Sequence, residues 1–184
     1  MLKIHRRPEL DTADAAEAIR EHYGLEGTLT PLTGERDLNF RLETAEGERF
    51  VVKVSSPDEV DEILHIEVDL TRHLAELTDG FAPDVVAASS GEHVVRHTDS
   101  AGTEHRLRVV EYLEGGLLAD VRPRSASLLY DLGRRVAEVD SALGAYPDHP
   151  PARIDFDWAL GRAGMVMERC FDLFEGEELA LIRG

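Results

Sequence analysis

Lys53 is the residue whose setting most invites chemistry. It stands in Glu48-Arg49-Phe50-Val51-Val52-Lys53-Val54, a run of β-branched and aromatic residues that reads as a strand. It is one of two lysines in a chain with eighteen arginines. Strand alternation puts Phe50, Val52 and Val54 on one face and Val51 and Lys53 on the other. A lysine that shares a face with valine needs an anion, because a buried, unpaired ammonium is costly. A bound phosphate with a nearby carboxylate would supply it. A lysine that merely blunts an edge strand would look the same from this segment alone.

The elements around Lys53 narrow the choice. Upstream, residues 12 to 23 have helical spacing, with Ala15, Ala16, Ile19 and Tyr23 on one face and Gly24 as the stop. Thr28 to Leu32 reads as a strand, followed by a polar turn, Thr33-Gly34-Glu35-Arg36-Asp37. Leu38 to Thr44 alternates as a second strand, and Ala45-Glu46-Gly47 turns the chain into the Lys53 strand. Ser55-Ser56-Pro57-Asp58 has the form of a helix start, and the helix should run to about Leu77 with Ile63, Ile66, Leu70, Leu74 and Leu77 buried. A short strand over Asp84-Val85-Val86 follows, then a hairpin from His93–Arg96 to Leu107–Leu113 around Asp99 to Thr103. Glu114-Gly115-Gly116 breaks the last strand. From Ser125 the chain is helical: one long helix stopped at Gly144, then segments near 157–170 and 175–183. The expected class is α+β in two lobes, a β-rich one over 1–113 and a hinge with a partial helical lobe over 114–184.

Composition bounds the rest. The 184 residues carry a formal charge of −17, which argues against a nucleic-acid surface and against anionic membranes. No apolar run reaches membrane-spanning length, the N-terminus lacks a signal-peptide core, and the single cysteine, Cys170, forms no disulfide within the chain, so a cytoplasmic location is expected. Cys170 reads as a core residue. The histidines show no HExxH, and His93 and His97 read as surface residues rather than metal ligands.

A polar glycine turn between two strands, a lysine in the third, an acid-bearing helix and an apolar strand entering a Gly-Gly hinge together resemble the ATP-binding lobe of protein kinases and of the kinase-like aminoglycoside and choline phosphotransferases. The resemblance implies that Lys53 grips the α- and β-phosphates of ATP and that a helix glutamate, here Glu67, holds Lys53. It implies that Val51 covers the adenine, and that the Glu111 carbonyl and Leu113 amide of Val110-Glu111-Tyr112-Leu113 bind it. Leu32-Thr33-Gly34-Glu35-Arg36-Asp37-Leu38-Asn39-Phe40 departs from the Gly-x-Gly-x-x-Gly form and is similar to the hydroxylysine kinase-like branch, some members of which are fused to class-III aminotransferases. On that likeness Leu32, Gly34, Arg36, Asp37 and Asn39 belong to the nucleotide site. Locally, Asp37 and Asn39 suit a turn held by bonds to backbone amides, and Arg36 can reach a phosphate. His149-Pro150-Pro151-Ala152-Arg153, with Trp158 beyond, resembles a second segment of the branch.

The catalytic loop of the family is not found. No His-x-Asp is followed by an asparagine five residues later, and Asn39 is the only asparagine. Ile154-Asp155-Phe156-Asp157-Trp158 imitates a metal motif but follows the first helix of the second lobe, so it reads as a decoy. The sequence therefore reads as the front part of a kinase, with ATP as cofactor and Mg²⁺ ligands expected beyond residue 184. The parent activity would phosphorylate a hydroxyl of a small cationic amino alcohol or amino acid. The alternative is a non-catalytic nucleotide-binding or interaction module of a larger, aminotransferase-linked protein. Apolar helical faces (Leu128, Leu132, Val136, Val139; Met165, Val166, Cys170, Phe171, Phe174) suggest a homodimer formed through the second lobe.

Overall fold

The computed structural model describes residues 6–78, 80–147, 161 and 163–183. The chain order is α1 (Thr12–Tyr23), β1 (Gly27–Leu32), β2 (Leu38–Thr44), β3 (Arg49–Val54), α2 (Asp61–Leu77), β4 (Val85–Val86), β5 (Val95–Thr98), β6 (Glu104–Glu111), α3 (Ala126–Gly144), α4 (Ala163–Cys170), a 3-10 turn (Phe171–Leu173) and α5 (Gly176–Arg183). The described residues fall into two compact units that divide after residue 148. The His-Pro-Pro-Ala-Arg segment and the Asp155/Asp157 motif lie outside the described residues.

The first unit is built on one antiparallel six-stranded sheet in the order β1-β2-β3-β6-β4. β6 is long enough to pair with β3 along one edge and with both short strands, β4 and β5, along the other. Phe40, Leu42, Val52, Val54, Leu107 and Val109 pack with Ala15, Ala18 and Ile19 of α1. Ile19 is almost fully buried, and withdrawing such a side chain from water contributes about 1.5–3 kcal/mol. Ala18 rather than Ala16 joins this contact. The other face, carrying Val51 and Val110, packs on Val68 of α2.

Local chemistry explains most boundaries. Asp11 caps α1 through the amide of Asp14, and Gly24, at φ 65°, ends it in the left-handed conformation that glycine tolerates. Ser125 caps α3 through the amide of Leu128. The start of α2 corrects the sequence reading. Ser56 Oγ donates to the Arg6 carbonyl and accepts from the Asp58 amide, while Arg106 takes the carbonyls of Ser56 and Glu59. These bonds hold 55–59 as a turn, and the helix begins at Asp61, where Asp61 and Glu62 suit the positive end of its dipole. Its buried residues are Leu64 and Val68, whereas Leu77, expected in the stripe, is exposed.

α3 lies against α2, where His73 Nε2–H donates to the Ala142 carbonyl at 2.8 Å. Cys170 is half-buried rather than core. Among the described residues no helix is long and apolar enough to cross a membrane.

Candidate functional site

The register places Asn39, Lys53 and Arg108 side by side across β2, β3 and β6, all on the face that looks toward α2. Directly opposed cations repel. Lys53 and Arg108 coexist because Asp37, in the turn before β2, sets one carboxylate oxygen between them, 3.9 Å from Lys53 Nζ and 3.7 Å from Arg108 Nη2. The other oxygen of Asp37 accepts from the Ser56 amide. Asp37 therefore ties its turn to a different segment rather than closing the turn on itself. Asn39, by contrast, bonds to a side chain rather than to a backbone amide, with Oδ1 accepting from Lys53 Nζ at 3.4 Å.

Gly34 makes this turn possible. A Cβ there would lie 2.4 Å from the Asp37 carbonyl oxygen and 2.5 Å from Asn39 Nδ2, closer than any real Cβ contact.

The expected ion pair between Lys53 and Glu67 is not formed. Glu67 Oε2 instead accepts from Arg108 Nη2 at 2.9 Å, and Arg108 Nη1 donates to Ser55 Oγ at 2.9 Å. A guanidinium with several fixed donors fills that space better than a single ammonium. Glu67 remains close enough to act on Lys53 electrostatically. Arg108 is thus the site residue that the sequence reading missed. β6 carries arginines at both 106 and 108, and only its pairing with β3 marks Arg108 as the one opposite Lys53.

Lys53 is left loosely held. Its contacts at 3.4 and 3.9 Å are longer than good hydrogen bonds. Burial pushes its pKa below the ordinary lysine range, and Arg108 pushes it further, against the opposing pull of Asp37 and Glu67. A partly desolvated ammonium with no anion in hydrogen-bonding contact is an attractor for an entering one.

Lys53, Asn39, Asp37, Arg36, Glu35, Glu59, Leu64 and Glu67 line a cavity of about 230 Å³. Arg36 donates to the nearly buried Glu59 carboxylate at its edge. Of the residues singled out from sequence, Arg36, Asp37, Asn39, Lys53 and Glu67 line this cavity. Leu32, Gly34, Val51, Glu111 and Leu113 do not line it. Glu111 instead ties β6 to the start of β4, its amide donating to the Asp84 carbonyl and its carboxylate accepting from the Asp84 amide. His97, expected at the surface, is buried on β5.

The donors fit a polyanion of phosphate size: Lys53 and Arg36 face the space, and Arg108 stands behind. The volume is below the few hundred Å³ of a whole-ligand pocket, so it suits phosphates and not a base. The acids do not fit a metal equally well. Asp37 and Glu67 are engaged by cations, and no trio of the cavity's acids gathers its oxygens among the described residues.

The hydroxylysine kinase of Danio rerio is 26% identical over 164 residues, which make up 84% of this chain and 45% of that protein. The structure of the amicoumacin kinase hAmiN in complex with AMP-PNP, Ca²⁺ and Ami superposes with a TM-score of 0.63 at 20% identity, covering 77% of this chain and 42% of that one. The microcompartment-associated aminopropanol kinase superposes with a TM-score of 0.63 at 21% identity, covering 85% of this chain and 48% of that one. At such identities the two structures show the fold, which is that of the kinase-like α+β proteins. This chain spans less than half the length of each of these relatives. The sequence profile described as "Phosphotransferase enzyme family" matches residues 28–182, which take in the sheet and the helices after α1, and the chain belongs to that family.

Proposed function

We propose that this chain holds the phosphates of ATP for a phosphotransferase that acts on a hydroxyl of a small amino alcohol or amino acid. The observation that carries the reading is the Asn39–Lys53–Arg108 row, with Lys53 desolvated and loosely paired at the mouth of a phosphate-sized cavity. An entering phosphate takes the Lys53 ammonium from its long contacts with Asn39 and Asp37. Arg108, fixed by Ser55 and Glu67, stays in place behind Lys53 and offsets the charge of Asp37 and Glu67, which would otherwise repel the phosphates. Arg36 reaches the outer phosphate at some cost to its bond with Glu59. The Gly34 turn closes over the chain of phosphates, and the base lies outside the cavity, against Val51 and the Glu111–Leu113 backbone.

Bound ATP supplies the phosphoryl group; these residues position it and stabilise its charge, the two contributions on which such transfer chiefly depends. Because Asn39 is the only asparagine, a catalytic loop of the family's form is not contained in this sequence. The chain's own part is nucleotide binding. One relative is named for hydroxylysine, a hydroxylated amino acid, and another for aminopropanol, an amino alcohol, and the charge of −17 favours a cationic acceptor.

Calorimetric titration tests the reading. AMP-PNP and ADP should bind, adenosine should bind at least tenfold more weakly, and affinity should fall with added salt, as phosphate-led binding requires. Absence of binding at millimolar AMP-PNP, or equal affinity for adenosine, would refute it.

A further inference from the structure

We infer that Glu21, His22 and His97 form a binding site for a divalent metal of zinc type, which fastens the end of α1 to the edge strand β5. Glu21 and His22 occupy the last turn of α1, and His97 comes from β5. The three donor atoms lie within 4.8 Å of one another. Glu21 Oε2 is 3.3 Å from His97 Nδ1 and 3.8 Å from His22 Nε2. Tetrahedral zinc with bonds of roughly 2.0–2.1 Å separates its ligand atoms by roughly 3.3 Å. The triangle is already close to the size the ion needs. None of the three residues lines the phosphate cavity.

A second observation points the same way. His22 Nε2 is buried and has no hydrogen-bond partner, although buried polar atoms are nearly always satisfied. A metal at the centre of the triangle would satisfy it and His97 Nδ1 together, with both rings neutral and Glu21 ionised. His97 is itself 8% exposed, and the two rings meet edge to face at 86°. The backbone holds the ligands in place. The Ser89 amide donates to the His22 carbonyl at 2.8 Å, and His97 sits in the ladder opposite His105. The negative end of the α1 dipole also favours a cation here. Two imidazoles and a carboxylate are the donor set that zinc prefers over magnesium or calcium. Glu21 is 59% exposed on its side chain, which leaves solvent access to a fourth position.

The untagged chain, stripped of metal and free of nucleotide, is titrated with ZnCl₂ by calorimetry and followed by thermal melting. One zinc per chain should bind, the melting temperature should rise, and EDTA should reverse both. Glu21→Gln and His22→Gln should each weaken binding tenfold or more and abolish the zinc-dependent rise, while the metal-free proteins melt as the parent does. These positions are used because buried His97 is less safely replaced. Absence of zinc binding, binding unchanged in both variants, or binding lost in Cys170→Ser would overturn the assignment.

Discussion

Replacing Lys53 with methionine should separate function from stability. In most folded chains, deleting a half-buried charged side chain costs stability. Here the ammonium is held only at long range, 3.4 Å from Asn39 and 3.9 Å from Asp37, and a partly exposed pair of that kind contributes at most about 1 kcal/mol. Against that stand the desolvation of the ammonium and its repulsion by Arg108, which together lower the Lys53 pKa. Asp37 is not orphaned by the change, because Arg108 remains 3.7 Å from the same oxygen. Lys53→Met should therefore leave stability within about 1 kcal/mol of the parent, on the stabilised side. Nucleotide affinity should behave differently. A charge-assisted bond to phosphate is worth about 1.5–3 kcal/mol, so AMP-PNP should bind roughly 10- to 100-fold more weakly.

The pH dependence gives an independent check. A lysine whose folded pKa lies below its unfolded value binds fewer protons in the folded state between the two. Its penalty is complete below the folded pKa and fades as pH rises through it toward the unfolded value, about 10.4. The advantage of Lys53→Met over the parent should thus be greatest near neutrality and shrink toward pH 10. Urea midpoints across that range measure stability, and calorimetry measures affinity. A loss of more than about 2 kcal/mol, or unchanged affinity for AMP-PNP, would refute the account of Lys53 as a desolvated phosphate ligand.

Three further outcomes are expected. Arg108→Leu removes the bonds to Ser55 and Glu67, which should cost about 1–3 kcal/mol in urea denaturation and free Glu67 to turn to Lys53. Since the chain has only two lysines, peptide mass analysis after limited acylation would show slower labelling of Lys53 in this variant, and faster labelling would contradict the rearrangement. Gly34→Ala should displace the turn, lowering stability by about 1–3 kcal/mol and weakening AMP-PNP, because its methyl would meet Asp37 and Asn39 at 2.4 and 2.5 Å; a variant that melts and binds like the parent would show that the turn yields freely. Leu129, Tyr130, Leu132 and Val136 on α3 are 40–76% exposed, so the chain should self-associate at low micromolar concentration, an effect reversed by Leu132→Glu; sedimentation as a monomer throughout would remove this expectation.

The order of elements was legible because each rests on local chemistry. Alternation marked β2 and β3, glycine ended α1, and a serine cap opened α3. The start of α2 was misplaced because the same residues that cap helices, Ser55, Ser56 and Asp58, also build turns. Which they do here depends on Arg6 and Arg106, far along the chain. The buried stripe of α2 was misjudged for a related reason. Its apolar residues outnumber those that one helix face can bury, and the position of the sheet selects Leu64 and Val68.

The site was half legible for a physical reason that concerns register. Lys53 could be found because it breaks the pattern of its own strand. Choosing its partner required knowing what lies beside it on β6, and no pattern within one strand reports that. The pairing of β3 with β6 sets Arg108 opposite Lys53, and Arg108 then outcompetes Lys53 for Glu67 with a fixed fork of donors. A helix acid chosen by analogy alone thus went to the wrong cation. The consequence runs against the usual stabilising role of such a pair. With Glu67 held away by Arg108, Lys53 keeps a desolvated charge that only loose contacts offset, and the energy not gained in folding is left available for binding an anion.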